Sequence, residues 1–398
     1  MIDFFEIRKK EFEKYKNRYA LAPHKAYLKL MGLAFKYYIK TFQKNGAFKP
    51  QSDKINVALI LHGGIGDILV GGLYASYLKR KIDDAELYIF SPNNTTLIGQ
   101  LFHNQPFATN ILDLKTLNHS HFDLVIELSL QIPRVVYQGS KVANSTFLLT
   151  YTKNLITFED THYGITTDDR QLNQLTYMLA SGKNRISVLD VTGELDLKDD
   201  LILNVPENGK EIFKKYPELL NTPYVTISRG VDKLNNYKDS TRLWSISKYE
   251  RLITLFKQQY PNTKIVYLGS SKEDCAELKG VDVDLVGKTT IPELMALLKQ
   301  ATLHFDMECG MVHLRHFLCR KPSVVLFGPT SPILKGYPEN INLRRDDACI
   351  LPMCEHIVLD GRWPLVCIKN QSCRGHCIES ISEEQVLKET MTVLNGCN

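Results

Sequence analysis

Three short stretches carry residue types whose spacing could support chemistry. The first is "LHGGIGDILVGG", which follows the apolar run "INVALIL" at 55–61. Its glycines, among them Gly64 and Gly66 on either side of Ile65, let the backbone turn tightly and leave N–H groups free where a helix begins. Asp67 stands at that helix start. It reads in two ways: as an N-cap that the helix dipole favours, or as a carboxylate placed to take a proton from an incoming hydroxyl. The glycines match neither the GxGxxG dinucleotide pattern nor the P-loop with its Lys-Ser/Thr.

The second stretch is "ISRGVDKLNNYKDSTRLWSISKYERL". A strand over 223–228 ends at Ser228, and Arg229, Lys233, Lys238 and Arg242 follow before the next helix near Ser245. Such cations at a strand-to-helix turn suit a phosphate or diphosphate, and equally make a solvated basic loop. The third is "DMECGMVHLRHFLCRKPSVVLFGPTSP", from Asp306 to Pro332. A strand over 302–307 runs into Glu308, Cys309 and Gly310; a helix over 310–320 would aim the N–H groups of Met311 and Val312 at a ligand. His313 falls in the first turn of that helix, facing either a site or the core. Gly328, Pro329 and Thr330 close the following strand with another tight turn.

These turns need strands and helices to hold them. Strands are predicted at 55–61, 86–90, 122–128 and 145–151, with a helix over Asp67–Arg80. After a polar, Pro-containing connection near 190–221 the alternation restarts. Strands at 223–228, 263–269, 302–307 and 322–328 flank helices at 245–260 and 289–300, the latter with Thr290 as cap and Pro292 in its first turn. Strands alternating with helices imply parallel α/β sheets, whose ligands bind beyond the carboxyl ends of the strands. The expected domains are a basic helical arm at 1–50, one α/β domain at 51–205 and a second at 222–398.

The 398 residues suffice for two cores, and a net charge of +5 does not mark a nucleic-acid binder. No apolar run approaches the ~20 residues of a membrane span, and the N-terminus lacks a signal-peptide pattern, so the expected compartment is the cytoplasm. From Arg8 to Lys49 twelve Lys or Arg stand against two Glu, interleaved with aromatics. This arm reads either as a helix packed on the body or as one lying on an anionic inner-leaflet surface. None of the nine cysteines precedes Cys275, and Cys349, Cys354, Cys367, Cys373 and Cys377 are separated by 4, 12, 5 and 3 residues. Four thiolates suit a structural Zn or Fe, with Cys354, Cys367, Cys373 and Cys377 as the expected set; reduced cysteines in a packed loop are the other reading.

Taken in order, "GGIGDIL", "TRLWSISKYERLI", the run "TTIPELMALLKQATLHFDMECGMVHLRHFLCRKPSVVLFGPTSP" and the closing "CIESISEEQVL" resemble the ADP-heptose heptosyltransferases of glycosyltransferase family 9. The resemblance covers about 55–390 and leaves the arm out. It implies a GT-B fold, two Rossmann-like domains facing across a cleft. The donor is an ADP-sugar, usually ADP-heptose, held by the C-terminal domain. The acceptor is lipopolysaccharide inner core, and the anomeric centre is inverted without a catalytic metal.

By the same resemblance Asp67 matches the general base, and Arg242 a basic residue that binds the diphosphate. Ser228 and Arg229 lie by the phosphate contacts. Glu308, Cys309, Gly310, Met311 and His313 fall on the donor loop, and Thr330 on the GPT turn. Glu308 and Cys309 depart from the family's Asp followed by Ser or Thr, which puts the identity of the sugar in question. A protein O-heptosyltransferase acting on autotransporters, a related group with cysteine-bound iron, and a non-catalytic nucleotide-sugar binder are the competing readings.

Overall fold

The computed structural model describes residues 47–129, 132–162, 174, 177–178, 180–229, 242–271, 275–328, 330–345 and 376–396. The basic arm therefore lies outside the described residues up to position 46, as do Lys233, Lys238 and the cysteines at 349, 354, 367 and 373. Contacts divide the chain into two compact units. Met1–Gly63, Val70–Gln174 and Ile186–Asp200 form the first; Gly64–Leu69, Leu175–Arg185 and Leu201–Asn398 form the second.

The first unit is built on a five-stranded sheet of order β3-β2-β1-β4-β5. β1 (Ile55–Leu61) lies at its centre, parallel to β2 (Ala85–Ser91) and β4 (Leu124–Ser129), and every residue of β1 is buried. That is why it reads as an unbroken apolar run: a central parallel strand has no wet face. β3 (Ile111–Asp113) continues the parallel order, whereas β5 (Ile132–Gln138) pairs antiparallel with β4. α1 (Ile65–Lys81) and α2 (Thr95–Leu101) connect these strands.

One predicted strand is corrected. "STFLLTY" at 145–151 opens a helix, α3 (Thr146–Thr161). The Ser145 side chain accepts from the backbone N–H of Leu148, and Leu148, Tyr151, Thr152 and Leu155 are buried at helical spacing. A short apolar run has no period of its own, and the cap was the better signal.

The second unit carries a six-stranded parallel sheet of order β11-β10-β9-β6-β7-β8. Its strands are β6 (Tyr224–Ile227), β7 (Lys264–Tyr267), β8 (Val283–Asp284), β9 (Leu303–Met307), β10 (Ser323–Leu326) and β11 (Ile341–Leu343). Helices α4 (Ile246–Gln259), α5 (Ile291–Gln300), α6 (Gly310–Cys319) and α7 (Glu383–Gly396) accompany them. Thr290 caps α5 as predicted and forms a full capping box with Glu293. One core joins Val225, Ile227, Tyr249, Ile253, Phe256, Phe305 and Leu326 with Trp244 at full burial. The Trp244 indole N–H donates to the carbonyl of Ile381, which ties the end of the chain to the middle of the unit.

Candidate active site

The helix starts that the sequence singled out at Asp67 and Gly310 both belong to the second unit. Asp67 sits in the first turn of α1. The Gly64 N–H donates to its Oδ2 at 3.0 Å, and Arg185 Nη2 donates to its Oδ1 at 2.8 Å. Asp67 is thus not the N-cap of the simpler reading: the helix starts two residues earlier, and its carboxylate reaches back to the N–H of Gly64, the residue before the helix. Its side chain is also 38% exposed, so a face of the carboxylate stays open.

Arg185 is nearly fully buried, with its side chain 4% exposed. Besides Asp67, it donates through Nη1 to His313 Nε2 at 2.7 Å. A guanidinium only donates, so Nε2 must be the accepting nitrogen of a neutral imidazole. The ring proton then sits on Nδ1 and is donated to the Tyr337 hydroxyl, 2.7 Å away. Burial pushes the His313 pKa down from 6.5 to about 4, and the Arg185 charge pushes it the same way, which agrees with this tautomer.

Glu308 Oε1 lies 3.3 Å from the same Nε2, where no proton is left for it. Its neutralisation comes from elsewhere. Arg242 Nη2 donates both to the Glu308 carboxylate and, at 2.8 Å, to the Glu308 carbonyl, and Lys335 Nζ stands 3.5 Å from Oε2. Burial alone would raise the Glu308 pKa, but the charges of Lys335 and Arg242 hold it well below the usual carboxylate range. A buried carboxylate between two cations is the charge pattern that a phosphate group would also satisfy.

The turns at this site are tight because side chains press on them. A methyl group built on Gly66 would stand 2.5 Å from His313 Cδ2, and one on Gly310 would stand 3.3 Å from Ile65 Cβ. Gly310 opens α6, whose N-cap is Cys309. The Cys309 thiol donates to Asp306 Oδ2 at 2.8 Å, and burial followed by the Asp306 charge raises its pKa well above normal. This cysteine is therefore an uncharged donor and no nucleophile. Met311 is half-buried behind it.

On the neighbouring turn, Ser228 is buried and its N–H donates to the Phe305 carbonyl at 2.9 Å. Arg229 donates Nε to the Trp244 carbonyl at 3.2 Å. Thr330 is buried, and its Oγ1 meets no hydrogen-bond partner among the described residues. Of the predicted residues, then, Asp67 and His313 are joined through Arg185, and Glu308, paired with Arg242, lies beside the same His313 ring. Ser228 and Arg229 are tied to neighbouring backbone carbonyls, and the Thr330 carbonyl accepts from Arg344 Nη1 at 3.3 Å.

Sequence reading missed Arg185, Lys335 and Tyr337. Arg185 lies between the strands of the first half and the connection near 190–221, in a stretch assigned no element and carrying no motif, and nothing short of contacts could have found it. Lys335 and Tyr337 lie just past the "GPTSP" turn, whose continuation was the signal that could have found them. Of the expected metal ligands, Cys354, Cys367 and Cys373 lie outside the described residues. Cys377, half-buried near the start of a helical turn, lends its carbonyl to Ser380 Oγ. Among the described residues no group of three or more metal-ligating side chains assembles.

Residues 195–346 match the family "Glycosyltransferase family 9 (heptosyltransferase)". No curated protein sequence matches the chain significantly. Among solved structures, the chain is similar to a family 9 glycosyl transferase from Veillonella parvula. Identity is 12%, coverage is 88% of this chain and 100% of that one, and the TM-score is 0.51. It is similar to the ADP-heptose lipopolysaccharide heptosyltransferase II of E. coli at 14% identity over 86% and 99% of the two chains, TM-score 0.52. It is also similar to TibC, an iron-containing dodecameric glycosyltransferase of enterotoxigenic E. coli, at 13% identity over 88% and 78%, TM-score 0.54. TibC has been solved in complex with ADP-D-β-D-heptose. At such identities these likenesses are of fold. Together with the matched segment they define the class: the chain is a glycosyltransferase. Its 195–346 segment is that of glycosyltransferase family 9.

Proposed function

We propose that the protein is an inverting glycosyltransferase that moves heptose, or a closely related sugar, from an ADP-sugar to the inner core of lipopolysaccharide. The observation that carries this reading is the chain of contacts from Asp67 through Arg185 and His313 to Glu308 and Arg242. It sets an accessible carboxylate and a pair of cations in one polar network, which are the two things a sugar transfer from a nucleotide needs.

In this scheme Asp67 takes the proton of the acceptor hydroxyl as its oxygen attacks the anomeric carbon. The bond from that carbon to the β-phosphate oxygen breaks on the opposite face, so the configuration inverts. The charge that gathers on departing ADP is met by Arg242, Lys335 and the N–H groups at the start of α6. Glu308, longer by one methylene than the Asp the family carries, hydrogen-bonds sugar hydroxyls once its cations turn to the diphosphate. The scheme draws on the chain's own cations rather than on a catalytic metal.

The test is transfer from ADP-heptose to purified inner-core lipopolysaccharide, with an autotransporter polypeptide as second acceptor. Asp67→Ala is expected to lose about 10²- to 10⁴-fold in rate while still binding ADP. Transfer at the wild-type rate in this variant would remove Asp67 as base. Transfer to the polypeptide alone would replace lipopolysaccharide as acceptor.

A further inference from the structure

Arg185 belongs to none of the motifs that mark the site, yet its guanidinium reaches both ends of it. Nη2 holds Asp67 Oδ1 at 2.8 Å and Nη1 holds His313 Nε2 at 2.7 Å. The side chain is 4% exposed, and its Nε meets no hydrogen-bond partner among the described residues. A buried guanidinium that leaves a donor unused is not explained by general stability, since an apolar side chain would fill the space without that cost. Its backbone is fixed as well: the Arg185 N–H donates to the Leu334 carbonyl at 3.0 Å, next to Lys335.

Two geometric consequences follow from a planar donor in this place. With the Gly64 N–H on Oδ2 and Arg185 on Oδ1, both oxygens of Asp67 are held, so the carboxylate plane has one orientation. Lysine carries its donors on one freely rotating nitrogen, so it lacks the two fixed nitrogens by which Nη2 reaches Asp67 and Nη1 reaches His313. On the other side, donation into Nε2 leaves His313 one tautomer, with its proton directed to Tyr337.

We propose that Arg185 is a positioning residue for sugar transfer: its guanidinium fixes the carboxylate plane of Asp67 and the tautomer of His313 at once, and so sets the base in register with the donor loop. This rests on the reading of Asp67 as general base. It adds a residue that acts through two others without touching substrate.

The test compares Arg185→Ala and Arg185→Lys with Asp67→Asn in the full-length protein. The assay is ADP-heptose transfer to inner-core lipopolysaccharide, alongside ADP binding, thermal unfolding and side-chain ¹⁵N spectra of the histidines. A displaced base costs about 100-fold in rate, so Arg185→Ala is expected to lower kcat by that order. KM for ADP-heptose and the affinity for ADP stay near wild type. Free guanidinium at sub-denaturing concentration restores part of kcat in the alanine variant, and the lysine variant keeps the charge without recovering the rate. The His313 ¹⁵N signals move from a fixed Nδ1–H form to a tautomer mixture in both variants.

Wild-type kcat in Arg185→Ala overturns the proposal. So does a rate loss without guanidinium rescue that follows the loss of unfolding temperature in both variants, and so does an unchanged His313 tautomer. If Asp67→Asn keeps full activity while the His313 signals respond to Arg185, the general-base reading has failed rather than the positioning of His313.

Discussion

His313 is kept neutral by its neighbours, and this has a thermodynamic signature. Its pKa falls from 6.5 to about 4 on folding, first through burial and then through Arg185. Between those two values the unfolded chain takes up a proton that the folded protein refuses. Stability therefore rises with pH across this window and is lost as pH drops from 6.5 towards 4. A shift of this size is worth about 3 kcal/mol in full. Urea unfolding of the wild type and His313→Gln at pH 7 and pH 4.5 checks it. The wild type should lose stability on acidification by a margin that the glutamine variant lacks, and equal losses would place the imidazole outside this account. Glu308 is held charged rather than neutral, yet its pH dependence has the same sign. Its carboxylate is charged well below the usual range, so its contribution is present at neutral pH and disappears only in stronger acid.

At the scale of elements, sequence patterns located most of what holds the site. The apolar run of β1, the Thr290 cap of α5 and the strand-glycine-helix passage from β9 into α6 all announce themselves locally. What escaped had a tertiary cause. The run at 145–151 carries strand-like residues, but packing decided for helix. β8 and β11 have two and three residues and too little length to show a period. Asp67 and His313 were legible as candidates; their link through Arg185 was not, because 118 residues separate Arg185 from Asp67 and 128 separate it from His313. Arg315 is a second case. It is fully buried and donates to the carbonyls of Leu298, Ala301, Thr302 and Pro322. It satisfies the end of α5 and joins it to β9 and β10, a service that no side chain without several donors can supply. Arg315→Met keeps the volume and strands those acceptors, so a loss of about 3 kcal/mol is expected, measured by urea unfolding. A loss below ~0.5 kcal/mol, the range of a surface change, would mean that the carbonyls find other partners.

For the molecule as a whole, the division into two units bears directly on how a ligand is detected. Each unit has its own sheet, and the residues assigned to donor binding lie in the second, as do Asp67 and Arg185, within 64–69 and 175–185. A chain of this kind need not unfold in one step, so a single midpoint would average two events. A ligand stabilises only what it binds, and at 100 times its dissociation constant it adds about 2.7 kcal/mol. For a unit near 200 residues each kcal/mol is worth about 2–4 °C. ADP should therefore raise the transition of the second unit by about 5–10 °C and leave that of the first in place. GDP and UDP should do less at equal concentration. Asp67→Ala should retain the ADP shift, because the carboxylate serves the acceptor. Arg242→Ala should abolish it, because the cation that pairs with Glu308 is the one assigned to the diphosphate. Differential scanning calorimetry resolves these cases. An ADP shift that survives Arg242→Ala would move the nucleotide away from Glu308, and a shift confined to the first unit would move it out of the second sheet altogether.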